Sequence, residues 1–95
     1  MLYALTGTIR PHLTLEQRNA GFARRAEWKY PAGLKVIGEW WQGVAPHILM
    51  IAEADSMEPL LAVTLTWGDF MEITWSPAQT PEEGLASGAK LLRGG

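Results

Sequence analysis

The chain has 95 residues, a formal charge of −2, no cysteine and an apolar share of 47%. These values fit one domain with a hydrophobic core, at a size where self-association adds useful stability. The lack of cysteine excludes a disulfide scaffold, a thiolate metal site and a cysteine nucleophile, and the slightly acidic balance argues against a general nucleic-acid binder. Met1 leads straight into Leu2-Tyr3-Ala4-Leu5-Thr6 without the basic start of a secretory signal. The longest uncharged run, Trp40 to Ala52, is shorter than the roughly 18–20 apolar residues a membrane span needs. The expectation is a cytoplasmic protein with neither nucleic acid nor membrane as partner. Residues 1–47 sum to +3 and residues 48–95 to −5. Such halves can steer self-association, or the basic half can meet an anionic ligand.

Along the chain, Tyr3, Leu5, Gly7 and Ile9 alternate with Leu2, Ala4, Thr6 and Thr8, and this reads as a strand that ends at Arg10-Pro11-His12. Thr14-Leu15-Glu16-Gln17 is a capping-box helix start. Leu15, Phe22, Ala23, Ala26 and Tyr30 then follow near helical spacing, with Arg18, Arg25 and Lys29 on the outside. Pro31 stops this helix by Tyr30, and Pro31-Ala32-Gly33 is a turn. Residues 34–42 form a second strand, Gly43-Val44-Ala45-Pro46 a loop, and residues 47–53 a nearly all-apolar strand suited to the inside of a sheet. Asp55, with Glu58 three residues on, is a plausible cap for a second helix. The stretch Val63–Trp67 is ambiguous: its β-branched residues suit a hairpin around Gly68-Asp69, while Leu60, Val63, Thr64 and Trp67 suit a helix. Residues 70–76 are a strand, and Thr80-Pro81-Glu82-Glu83 opens a C-terminal helix with a frayed Arg93-Gly94-Gly95 end.

With residues 56–67 helical, the order is β-α-β-β-α-β plus a tail helix, the ferredoxin-like α+β arrangement. Residues 1–78 form the domain and residues 79–95 a helical tail. Two helices cover one face of the sheet. Pairing two open faces would bury both, so a homodimer follows from the architecture.

Three segments also resemble a group of short, uncharacterised bacterial proteins: Pro31-Ala32-Gly33-Leu34-Lys35-Val36-Ile37-Gly38-Glu39-Trp40-Trp41, then Ile48-Leu49-Met50-Ile51-Ala52-Glu53-Ala54-Asp55, then Trp67-Gly68-Asp69-Phe70 through Pro77. The resemblance covers roughly residues 1–83. It implies a domain of unknown function within the dimeric α/β-barrel proteins, and it implies a helix over Val63–Trp67. It assigns no catalytic residue. Cofactor-free monooxygenases, lactone isomerases and haem-handling enzymes share that fold, as analogy only.

On strand parity, Leu34, Val36, Gly38 and Trp40 share the helix-covered face with Met71, Ile73 and Trp75. Thr6, Thr8, Glu39, Trp41, Glu72 and Thr74 then take the other face, with Glu53 near the end of its strand. They could line an inter-sheet cavity, where a desolvated Glu39 or Glu72 would serve as a proton-shuttling base. The plainer reading is interface hydrogen bonds and rim ion pairs. His12 and His47 are expected at opposite ends of neighbouring parallel strands, too far apart to share a metal. His47 beside Glu39 or Trp41 is the sharper candidate, as a general base or an axial haem ligand. The five tryptophans pack the core and interface, or line a pocket for a planar ligand. No resident cofactor or metal is expected. The function that fits best is a homodimer binding a small molecule through Thr6, Thr8, Trp41, Glu53 and Thr74 without chemistry of its own. The alternatives are a cofactor-independent monooxygenase or isomerase acting on an aromatic or conjugated substrate, and a structural interaction module.

Overall fold

The alternating segments become strands and the capped segments become helices. The computed structural model describes residues 1–93. They form β1 (Leu2–Ile9), α1 (Leu15–Glu27), β2 (Lys35–Trp41), β3 (Ile48–Glu53), α2 (Glu58–Trp67), β4 (Met71–Ala78) and α3 (Pro81–Leu92). The four strands make one antiparallel sheet in the order β2-β3-β1-β4, and the element order is that of a ferredoxin-like fold. Of the expected Arg93-Gly94-Gly95 end, Gly94 and Gly95 lie outside the described residues.

Capping fixes two of the helix starts. Thr14 accepts from the Gln17 amide at 3.1 Å and the Gln17 side chain accepts from the Thr14 amide at 2.8 Å. Thr80 and Glu83 repeat the device before α3. The start of α2 differs from the sequence reading: its N-cap is Met57, without a side-chain cap bond, so Asp55 does not cap it. Pro59 in the first turn and the apolar packing of Leu60, Val63 and Trp67 set that helix instead. Thr64, β-prone by composition, donates to the Leu60 carbonyl at 3.0 Å and accepts from Trp75 Nε1 at 2.9 Å, which ties α2 to β4. The turn before β2 closes with Gly33 at φ +88°, a left-handed conformation that favours glycine.

The core lies between the sheet and the helices: Leu5, Met50, Ala52 and Met71 from the strands, Val63 and Trp67 from α2, and Phe70 from the turn after it. Cross-strand pairs share a face of the sheet. Leu5 opposes both Met50 and Trp75, so these residues mark the helix side. The other side carries Ala4, Thr6 and Thr8 of β1, Leu49 and Ile51 of β3, and Glu72 and Thr74 of β4. No helix of the described residues contributes a buried residue to that side, and α3 has no buried residue at all, leaving Leu85, Leu91 and Leu92 exposed.

Strand β2 corrects the parity reading. Val36 opposes Ala52 and Gly38 opposes Ile51, so Ile37 is an extra residue in a β-bulge. Beyond it the faces exchange. Glu39 opposes Met50 and Trp41 opposes Ile48, on the helix side, whereas Trp40 opposes Leu49 on the open side. Gly38 and Trp40 are therefore not on the helix-covered face, and Glu39 and Trp41 are not on the open one. The histidine reading is corrected too. Strands β1 and β3 pair antiparallel, so His12, after the end of β1, and His47, before the start of β3, lie at the same end of the sheet.

Two glycines make opposite predictions. A Cβ on Gly21 of α1 would sit 2.1 Å from the buried Phe70 ring, whereas one on Gly38 would sit 2.2 Å from the exposed Trp40 ring, which is free to swing away. Gly21→Ala is expected to destabilise the fold by about 1–3 kcal/mol through overpacking, and Gly38→Ala by clearly less. Urea unfolding of both variants checks this, and equal midpoints would contradict it.

Candidate functional site

Helix α1 reaches the sheet through side chains. Arg25 lies three residues after Phe22 and four after Gly21, which brings the three onto one side of it. Phe22 meets the Phe70 ring edge-on with centroids 5.8 Å apart, and the Trp41 ring at 6.1 Å with 33° between planes. Between α1, the end of β1 and the β2–β3 loop these rings leave a cavity of about 230 Å³, walled mainly by Ile9, Phe22, Trp41, His47, Ile48 and Phe70. Arg25 and Gln42 add polar groups at its edge.

Glu39 stands beside this cavity at the centre of a polar cluster. Its carboxylate accepts from Arg25 Nη2 at 3.2 and 3.3 Å, from Trp41 Nε1 at 2.6 Å, and from the Tyr30 hydroxyl. The Arg25 guanidinium also lies 5.3 Å from the Tyr30 ring centroid and 5.7 Å from that of Trp28. The sequence reading placed Arg25 on the outside of α1. It turns inward because the bulge in β2 delivers a carboxylate beneath it. The Glu39 side chain is 14% exposed, so the pair is largely shielded from water and charge-assisted hydrogen bonds satisfy both oxygens. Glu39 also borders a void of about 30 Å³ above the core, too small for more than a water-sized occupant.

His47 stands just before β3, and Gln42 holds it in place by donating its backbone amide to the His47 carbonyl at 2.8 Å. The β1–β3 ladder ends at Gly7 opposite Ile48. The Ile9 amide beyond that pair has no strand carbonyl to meet and donates to His47 Nδ1 at 3.1 Å.

The candidate residues thus divide between two sides of the sheet. Glu39, Trp41 and His47 are on the helix side, and Trp41 and His47 share the cavity. Thr6, Thr8, Glu72 and Thr74 lie on the open side, where Thr6 opposes Thr74 and Thr8 opposes Glu72. Glu53 is on that side too, opposite Leu2 and Lys35. Glu39 and Glu72 therefore do not face one pocket. Phe22, Arg25 and Tyr30 belong to the site although sequence reading gave them only packing or surface roles. The spacing of Gly21, Phe22 and Arg25 was the available signal. Among the described residues no group of three or more His, Asp or Glu side chains could hold a metal.

A family model described as a domain of unknown function, DUF3303, matches residues 1–92. The chain belongs to the DUF3303 family. No curated protein and no solved structure matches it. In this DUF3303 domain no helix of the described residues is long and apolar enough to cross a membrane.

The same last turn of α1 carries another ion pair. Arg24 donates to Asp69 at 3.0 and 3.3 Å while its guanidinium lies 4.3 Å from the Trp67 ring centroid. The hydrogen bond from Arg24 holds the Asp69 carboxyl below its ordinary value. Its folded-state pKa is depressed, so the stability it contributes is present above the ordinary aspartate range and is lost as pH falls through the lowered value. Asp69→Asn is expected to flatten the acid side of the stability–pH curve while leaving its shape near neutrality, as acid titrations of thermal midpoints would show. An unaltered acid limb would contradict this. For Glu39→Gln we expect a loss of about 1–3 kcal/mol, because Arg25 loses its charged partner. Denaturant unfolding measures it, and an unchanged midpoint would show that the cluster contributes nothing.

Proposed function

We propose that this DUF3303 protein is a face-to-face homodimer that binds a small, largely apolar molecule in the cavity beneath α1. The observation that carries the reading is the cavity itself: about 230 Å³, walled by aromatic and aliphatic side chains, with few polar groups at its edge. This is the composition of a small-ligand site, at a volume below the usual 300–1,000 Å³ of pockets for drug-sized molecules. Binding without chemistry is favoured over acid–base catalysis because Glu39, the carboxylate nearest the cavity, already accepts from three donor side chains.

Dimerisation is supported by the open side of the sheet. Ile37 and Trp40 stand there 55% and 59% exposed beside Leu49 and Ile51, in a strip that a second copy would cover. Residues 1–78 would supply both the pocket and this face, with residues 79–95 as an appended helical tail. The open-side candidates Thr6, Thr8, Glu53 and Thr74 then become interface residues rather than walls of the ligand site.

Methyl NMR separates the two surfaces. A panel of one-ring aromatic compounds is expected to shift the Ile9 and Ile48 methyl signals and to leave those of Ile37 and Ile51 in place. Shifts confined to Ile37 and Ile51, or none at all, would contradict the cavity as the site. Sedimentation is expected to give the mass of two 10.5 kDa chains, and Ile51→Lys is expected to give one. A stable wild-type monomer would remove the dimer.

A further inference from the structure

Resting on the reading of the cavity as a ligand site, we propose that its occupant is an uncharged, planar one-ring molecule bearing a carbonyl-type acceptor, received by the Nε2–H of His47. The argument starts at the Ile9 amide, which can only donate. His47 Nδ1, 3.1 Å away, must therefore be the ring nitrogen with the lone pair. The neutral imidazole is then the tautomer with its proton on Nε2. The ring lines the cavity, and its Nε2–H is assigned to an occupant. In this tautomer neither nitrogen offers a free lone pair, so His47 acts as a hydrogen-bond donor and not as a base or an iron ligand.

Charge decides the next property. Arg25 is the one charged residue in the wall, and Glu39 already answers it at 3.2 and 3.3 Å. A carboxylate entering this site, whose walls Phe22 and Trp41 are themselves 44% and 53% exposed, would lose part of its hydration without an unpaired cation to meet it. A neutral acceptor avoids that cost. Shape decides the ring. Phe22 and Trp41 present faces tilted by 33°, and Phe70 stands edge-on to Phe22 at 76°. A dry protein cavity of about 150 Å³ takes benzene. A space of about 230 Å³ therefore has room for one ring with a short substituent.

The test uses three probes of similar size: acetophenone, isopropylbenzene, which has the same branched outline but no acceptor, and benzoate. Each is titrated into the wild type and into His47→Leu, and binding is read from the Ile9 and Ile48 methyl signals. The dissociation constant of acetophenone relative to that of isopropylbenzene is expected to rise about 3- to 10-fold in His47→Leu, the worth of one hydrogen bond. The ratio cancels the extra hydrophobicity that leucine offers both probes. Benzoate is expected to bind more weakly than acetophenone. A second measurement needs no variant. In the wild type at pH 8, long-range proton–nitrogen spectra are expected to show His47 protonated at Nε2, with that nitrogen shifting when acetophenone is added. An unchanged ratio, a His47 protonated at Nδ1, or tighter binding of benzoate would overturn the inference while leaving the cavity as a ligand site. If none of the probes shifts Ile9 and Ile48, the cavity reading fails and this inference with it.

Discussion

Val36 pairs with Ala52 and Gly38 with Ile51, and the unpaired Ile37 between them decides what the site is made of. A strand has a side-chain period of two, so one extra residue sends every later side chain to the opposite face. Without it, Glu39 would stand on the open face, and Trp40 would replace Trp41 beneath α1. With it, a carboxylate and an indole arrive below a helix whose inner face offers Phe22 and Arg25. The ion pair, the Tyr30 and Trp41 hydrogen bonds and the tilt of Trp41 against Phe22 all follow from that exchange.

The same exchange accounts for the cavity. α1 meets the sheet through large rings and a guanidinium, with Gly21 the place where its backbone comes close to Phe70. In its last turn the helix is tied twice, by Arg24 to Asp69 and by Arg25 to Glu39. A turn before these tethers the Phe22 ring meets Phe70 and Trp41, and His47 closes the end where the β1–β3 ladder stops. The cavity thereby lies on the side of the sheet that the helices cover. The threonines and Glu72 stand on the open side, away from this cavity.

Much of the fold was legible in local chemistry. Alternation located the strands, the Thr14 and Thr80 boxes located two helix starts, and Pro31 located a stop. Val63–Trp67 was not decidable locally, because its β-branched residues and its helical spacing pull in opposite directions. Burial of Leu60, Val63 and Trp67 on one face, with Thr64 bonded to Trp75, resolves it as helix. The site was half legible. Trp41 and His47 stood out by residue type, and they do line one cavity. What strand parity could not show was the bulge, because Val36-Ile37-Gly38 carries no local signal beyond a glycine. Once the parity is off by one, Glu39 is assigned to Glu72's face and Arg25 loses its partner. The parallel pairing assumed for the strands flanking His12 and His47 was an error of topology: in this strand order each neighbouring pair runs antiparallel.

Contacts of the two adjacent tryptophans test the bulge most directly. In a nuclear Overhauser spectrum of the native protein, the Trp41 indole is expected to show cross-peaks to the Phe22 ring, and the Trp40 indole to Leu49. Cross-peaks from Trp40 to Phe22, with Trp41 touching Leu49, would place Glu39 on the open face and contradict the account.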